Sequence, residues 1–224
     1  AMSGRLYVGD NSVQSGFASS DVVRWLQDEQ LPDYTNLVDL RTTGLVDLND
    51  HHETIGNVDA QTALTLRASS TLTTGEGTLT VNGNFTFNAA EGAGLWTPVA
   101  PATISGKLNL GSVVRGFNVP DRSELPFDLI ITADISGTGG INKTDSGMLL
   151  LSGNNSYSGS TFLTLGYLAA GSDTAFGTSR VYCPASDTGL VAVGGARAVD
   201  NDFYFAGATF RMLGRQGLGG GNNL

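Results

Sequence analysis

Apolar and polar residues alternate with a period of two along nearly the whole chain. The clearest stretches are 36–40, 44–48, 63–66, 77–81, 84–87, 106–110, 128–131, 147–151, 161–165 and 190–193. Each is four or five residues long, and most have Gly, Asn, Asp or Ser at or near a boundary. Leu, Val, Ile or Phe takes one face, and Thr, Asn, Asp or Lys the other. Side chains on an extended strand point alternately to opposite sides, so this pattern predicts many short half-buried strands joined by tight turns.

An antiparallel sandwich or barrel and a solenoid of stacked rungs both fit evenly spaced short strands. Internal similarity favours the solenoid, because residues 71–83 and 145–153 share a Gly-x-Leu-Thr/Leu-Val/Leu-x-Gly frame. Asn82, Asn84, Asn154 and Asn155 fall just after such strands, where stacked Asn side chains suit a β-helix turn. Asn82-Gly83 is the only two-residue Asn-Gly hairpin signal, and an antiparallel meander of this length needs several. The expected fold is therefore all-β, a parallel β-helix. No rung of such a fold is stable alone, so rungs at either end are expected to fray or to stack on neighbouring molecules.

One segment departs from the period of two. In residues 21–30, Val22, Val23, Leu26 and Trp25 can share a helical face, with Ser20 or Asp21 as cap and Pro32 as stop. A single turn or one short helix decorating the main body is expected there, although Val22-Val23 suits a strand equally.

Composition agrees with a folded β chain. Of 224 residues, 40% are apolar and 15% charged, with 31 glycines, which is far from a disordered composition. The net charge of −9 and the scattered placement of 12 basic residues argue against nucleic acid or an anionic membrane surface as partner. The single cysteine, Cys183, excludes an intramolecular disulfide, and no apolar stretch is long enough for a membrane helix. The opening Ala1-Met2-Ser3-Gly4 reads as a cloning scar before the interior of a longer protein. The tail 217–224 lacks a closing strand, so both ends read as cut.

Residues 137–177 carry a more specific signal. They resemble the autotransporter-associated β-strand repeat, also called the passenger-associated transport repeat. Gly137, Gly139, Gly140, Lys143, Gly147, Leu149, Leu151, Ser152, Gly153, Asn155, Tyr157, Gly159 and Thr161 fall on its pattern. Ile141, Asp145, Met148 and Phe176 depart from it, in place of leucine, glycine, threonine and leucine. Residues 20–58 resemble a companion segment of such repeats in long extracellular proteins of planctomycetes and verrucomicrobia, and 115–137 resemble the stretch leading into the repeat. The resemblance implies a right-handed parallel β-helix in an exported bacterial surface protein, folding progressively outside the cell. It assigns no chemistry to any residue.

The candidate sites each have a plain alternative. His51-His52-Glu53, near Asp47 and Asp50, is the most site-like cluster. Adjacent strand residues point to opposite faces, so only Asp50 with His52, or His51 with Glu53, can converge on a metal. A solvated turn explains the cluster better. Asp134, Lys143 and Asp145 are the best carboxylate–lysine set for a polysaccharide lyase or glycosidase, yet Lys143 is ordinary for the repeat. Lys143 also invites an isopeptide crosslink to a buried Asn or Asp. Trp25 and Trp96 lie too far apart in sequence to suggest an aromatic sugar groove. Cys183 reads as a core filler, and the glycines at 217–221 lack the context of a phosphate loop.

The expected organisation is one β-helix segment over 1–224: a strand lead-in at 3–20, companion rungs at 21–136, the repeat at 137–177 and the start of a next unit at 178–224. The expected role is a non-catalytic structural passenger or stalk segment, cell-surface or extracellular, with flanking rungs of the same parent chain as partners. No cofactor, metal, nucleic acid or membrane insertion is expected. The alternative is an adhesin-like module holding a glycan or protein on a sheet face or on a loop within 89–103, which contains Trp96, Pro98 and Pro101.

Overall fold

The computed structural model describes residues 4–10, 18–32, 37–56, 61–89, 99–207 and 209–215. Trp96, Pro98 and the tail 217–224 lie outside them. The chain winds into a β-solenoid of about eight turns.

Two long parallel sheets run along its axis. The first stacks Arg5–Val8 (β1), Leu37–Leu40 (β3), Thr62–Arg67 (β6), Asn84–Asn88 (β8), Arg115–Asn118 (β10), Ile141–Thr144 (β13), Thr161–Leu163 (β15), Val181–Cys183 (β17) and Phe203–Phe205 (β19). The second stacks Asp21–Arg24 (β2), Gly44–Asp47 (β4), Thr71–Val81 (β7), Ala102–Asn109 (β9), Leu129–Ile131 (β11), Met148–Leu151 (β14), Tyr167–Ala170 (β16), Thr188–Val193 (β18) and Phe210–Arg215 (β20). Two short strands extend the second sheet around a corner: Glu53–Ile55 (β5) on the far end of β7, and Asp134–Ser136 (β12) on the far end of β9. The chain visits the sheets alternately, and every strand pair is parallel. Each of the ten alternating stretches read from the sequence contains strand residues.

Residues 21–30 hold no helix. Asp21–Arg24 is strand β2, with Val22 on Leu45 and Val23 on Val46 in parallel register, and the chain then bends over residues 26–28. Ten residues are too few for a helix to stand without tertiary help. Two β-branched valines, beside a sheet edge that offers backbone partners, settle on the strand instead.

The core is a continuous column between the sheets. Along the first sheet the inward positions run Val38, Leu64, Phe85, Phe117, Lys143 and Leu163, each one turn above the last. Along the second, Leu149, Leu168 and Leu190 continue it. Turn length varies with what the turn carries. Ile141 pairs with Thr161 and Thr161 with Val181, so turns there take twenty residues, whereas Phe85 pairs with Phe117, thirty-two apart.

The run Met148-Leu149-Leu150-Leu151 breaks the alternation because both faces of the second sheet are apolar there. Leu149 and Leu151 belong to the main core, while Leu150 joins a separate cluster with Phe127, Ala169 and Val191. Ile130, Leu150, Ala169, Val191 and Leu213 lie in one register on that other face.

Asn side chains sew the turns together as donors and acceptors between rungs. Buried Asn155 accepts from the Ile135 amide at 2.9 Å and donates to the Ala175 carbonyl at 2.8 Å, bridging three successive turns. Asn84 accepts from the Gly116 amide, and Asn82 from the Arg115 guanidinium.

Candidate functional site

Three clusters concentrate the polar chemistry. The first surrounds Lys143, whose inward position puts its side chain fully out of solvent between Phe117 and Leu163. Its Nζ reaches the corner of the solenoid and donates to four main-chain oxygens: Asp145 at 2.6 Å, Thr144 at 2.9 Å, Leu165 at 3.2 Å and Val119 at 3.4 Å. These oxygens come from three consecutive turns. Gly166 makes the close approach possible, because a Cβ there (φ +74°) would stand 2.5 Å from the Asp145 oxygen. Burial pulls the Lys143 ammonium down to about 7, opposed by the charges of Asp145 and Asp128.

Asp128 performs the complementary task in the same corner. Its carboxylate accepts from the amides of Arg122 at 2.7 Å and Met148 at 2.8 Å, holding the connection before β11 onto the turn above. Burial raises it to about 6 despite those hydrogen bonds. Lysine thus gathers carbonyls while aspartate gathers amides. Both satisfy backbone groups that a tight turn leaves without sheet partners.

The second cluster contains His51, His52 and Glu53, and here the three side chains diverge. Glu53 on β5 points inward and is buried. It accepts from the Trp25 indole, from the Gln30 and Leu31 amides, and from its neighbour Thr54. Burial raises its pKa, with those hydrogen bonds opposing. His51 Nδ1 meets Asp28 at 3.1 Å, and His52 Nδ1 accepts from the Thr78 amide at 3.2 Å. Asp50 turns to the Glu76 amide. Neither His51 with Glu53 nor Asp50 with His52 forms a ligand pair; Asn49 and Asp50 at positive φ make this a turn. Among the described residues no group of three or more His, Cys, Asp or Glu could hold a metal.

The lyase-like set does not assemble either. Asp134 lies exposed on β12 and accepts from the Asn154 amide, Lys143 points into the core, and Asp145 sits in a left-handed turn holding its own Ser146. The four oxygens that Lys143 meets are all main-chain, so its hydrogen bonds bring no carboxyl or amide side chain to it for crosslinking. Trp25 is buried, and Cys183 is buried with its thiol raised to about 11.

Sequence reasoning missed the third cluster, at the rim of the first sheet. Ser160, Arg180 and Asp202 each stand one residue before a strand, on successive turns, with Asp200, Ser179 and Tyr182 alongside. They border an open groove of about 480 Å³. The signal available was spacing, since 160, 180 and 202 are separated by one turn each. A second hollow of about 320 Å³, lined by Phe176, Leu190, Phe203 and Met212 among others, is an extension of the core column.

The sheets, the column and the inter-rung polar ties define a parallel β-solenoid in which buried Lys143 and Asp128 hold backbone groups. Residues 141–170 match the passenger-associated-transport-repeat family. The matched segment begins with the first residue of β13 and ends with the last of β16, so it covers two rungs of each sheet in about one and a half turns of the solenoid. No curated protein and no solved structure matches the chain.

Proposed function

We propose that this chain is a non-catalytic passenger or stalk segment of a large exported surface protein, in which stacked turns extend the molecule outward from the cell. The observation that carries the reading is the repeat match over β13 to β16, inside a column of parallel turns stacked in register. Turns that pair only with the turns above and below can be multiplied without altering the core, which suits a spacer. The buried charges support it too. Lys143, Asp128 and Glu53 are each engaged with main-chain or indole groups within hydrogen-bond reach, an arrangement that holds turns and leaves little for chemistry on a substrate. An extracellular or cell-surface location follows the habit of the repeat family, and flanking β-helix turns of the parent chain are the natural neighbours.

The test is to insert the chain into the passenger of a working autotransporter and to follow surface exposure by protease accessibility. Export with a protease-resistant core supports the reading. Retention inside the cell, or turnover of neutral or acidic polysaccharides by the purified chain, contradicts it.

A further inference from the structure

We infer that the groove at the rim of β15, β17 and β19 binds a neutral oligosaccharide, held by Arg180, Asp200 and Asp202 beside the Tyr182–Tyr204 column. This adds a binding activity to the spacer role and does not depend on it.

The groove is built by the repetition of the turns. Thr161 pairs with Val181 and Val181 with Phe203, so Ser160, Arg180 and Asp202 form one column along the axis. The register tightens at that point: the Thr161 amide donates to the Arg180 oxygen and the Val181 amide to the Asp202 oxygen. Two positions further along the chain, Phe162, Tyr182 and Tyr204 make a parallel column of rings. Neighbouring rungs of a sheet lie about 4.8 Å apart, so one column presents a polar group and the other a ring at each regular step. A linear chain of hydroxyl-bearing rings running along the axis meets a polar side chain and an aromatic ring at each step.

The floor and walls are fixed in advance. The Asn201 amide donates to the oxygens of Ser179 at 2.7 Å and Gly177 at 3.1 Å, which locks the chain beneath the groove. Ser160 and Ser179 hydroxyls meet at 3.3 Å. Arg180 is held between Asp202, at 3.4 Å, and the ring of Tyr182, whose centroid is 5.9 Å from the guanidinium carbon. Little ordering is left to be done on binding. Arg180 and Asp202 nevertheless keep 49% and 84% of their side-chain surface exposed, so their remaining donor and acceptor sites face solvent.

The chemistry of the lining selects the ligand class. Two carboxylates against one guanidinium leave the groove with negative formal charge, which repels phosphate, sulfate and uronate groups. Hydroxyls from Ser160, Thr178 and Ser179 make the lining mostly polar, which is poor for an apolar molecule or a peptide's hydrophobic side chains. Vicinal sugar hydroxyls both donate and accept, so they can satisfy Asp200 and Asp202 with one pair of atoms and Arg180 with another. The apolar faces of the sugar need an aromatic partner. Phe162 stacks on Tyr182 at 5.0 Å and 12°, occupying one face of that ring. Tyr204 is tilted 56° out of the stack and is 53% exposed, leaving its ring open to contact.

The experiment is isothermal titration of the full chain with three neutral β-linked hexasaccharides, built from glucose, galactose and N-acetylglucosamine, and with one of galacturonate. Saturable binding of at least one neutral hexasaccharide is expected, stronger than that of the galacturonate. The Asp200→Asn/Asp202→Asn double variant and Arg180→Ala should each bind roughly tenfold more weakly or worse, with unchanged melting temperature because these side chains are exposed. The proposal is overturned if none of the three binds at millimolar concentration, if the variants bind as the parent does, or if the galacturonate binds as tightly. Binding accompanied by shortening of the oligosaccharide supports the groove and overturns the non-catalytic spacer, so the two readings fail separately.

Discussion

Phe85 and Phe117 stack face to face in the core, with ring centroids 4.2 Å apart and planes 8° from parallel, although thirty-two residues of chain separate them. The relationship exists because one turn of the solenoid sets each ring directly over its counterpart in register. Phe117 is fully buried, with Phe85 below and Lys143 above. Phe117→Ala should lower the stability of the chain by about 3 to 5 kcal/mol through lost burial and an unfilled cavity. Urea unfolding followed by circular dichroism measures this, and a change below about 1 kcal/mol would mean that the ring is not in the column.

Lys143 is the second test of the column. Lys143→Met keeps the apolar stem and removes the ammonium, leaving the oxygens of Val119, Thr144, Asp145 and Leu165 without their shared donor. Because these groups sit where water has little access, the loss should be about 3 kcal/mol. The denaturation midpoint should fall clearly, with little change in slope. A midpoint equal to that of the parent chain would contradict the carbonyl cage.

Asp128 predicts a pH dependence of unusual sign. Its folded value, about 6, lies above the ordinary 3.8, so between these values the folded chain binds more protons than the unfolded one. Stability from this group is therefore present below about pH 4 and lost as pH rises toward 6, by an amount on the order of 2 to 3 kcal/mol. Asp128→Asn should flatten that slope between pH 4 and 6. Lys143 acts in a separate window. Its folded value lies below the ordinary 10.5, so stability from it rises from about pH 7 upward. Unfolding free energies measured across both windows decide the point, and an unchanged slope in Asp128→Asn contradicts it.

Cys183 serves as a built-in reporter for its turn. It is buried on β17, and burial raises its thiol to about 11, so almost no thiolate exists at pH 8 and access is closed. Alkylation by iodoacetamide at pH 8 should be slowed by orders of magnitude relative to the chain in urea. Rapid modification of the native chain would show that β17 opens readily.

The strands were legible in the sequence because alternation follows from backbone geometry alone. Residues 147–151 and 161–165 announced β14 and β15, and the Gly and Asn punctuation separated a solenoid from a meander. Residues 21–30 misled because a four-residue edge strand and one helical turn present the same few apolar positions; only the neighbouring edge of β4 decides between them. Lys143 was visible as a repeat residue but not as a buried one, since its charge argues for solvent and only the gathering of carbonyls from three turns explains its place. Glu53 is the same case, hidden inside a His-His-Glu triplet that resembles a metal motif. The groove of Arg180, Asp200 and Asp202 depends on residues twenty or more apart becoming neighbours, which composition and local pattern do not show.

The most direct test of the parallel solenoid is the set of methyl contacts along one inward column of the second sheet. Leu149 pairs with Leu168, and Leu168 with Leu190, one turn after another. In a methyl-labelled sample, nuclear Overhauser cross-peaks should join Leu149 to Leu168 and Leu168 to Leu190, with the central residue touching both neighbours. Cross-peaks pairing β14 with β16 in the opposite strand direction, or none linking these three leucines in succession, would contradict the fold and everything built on it.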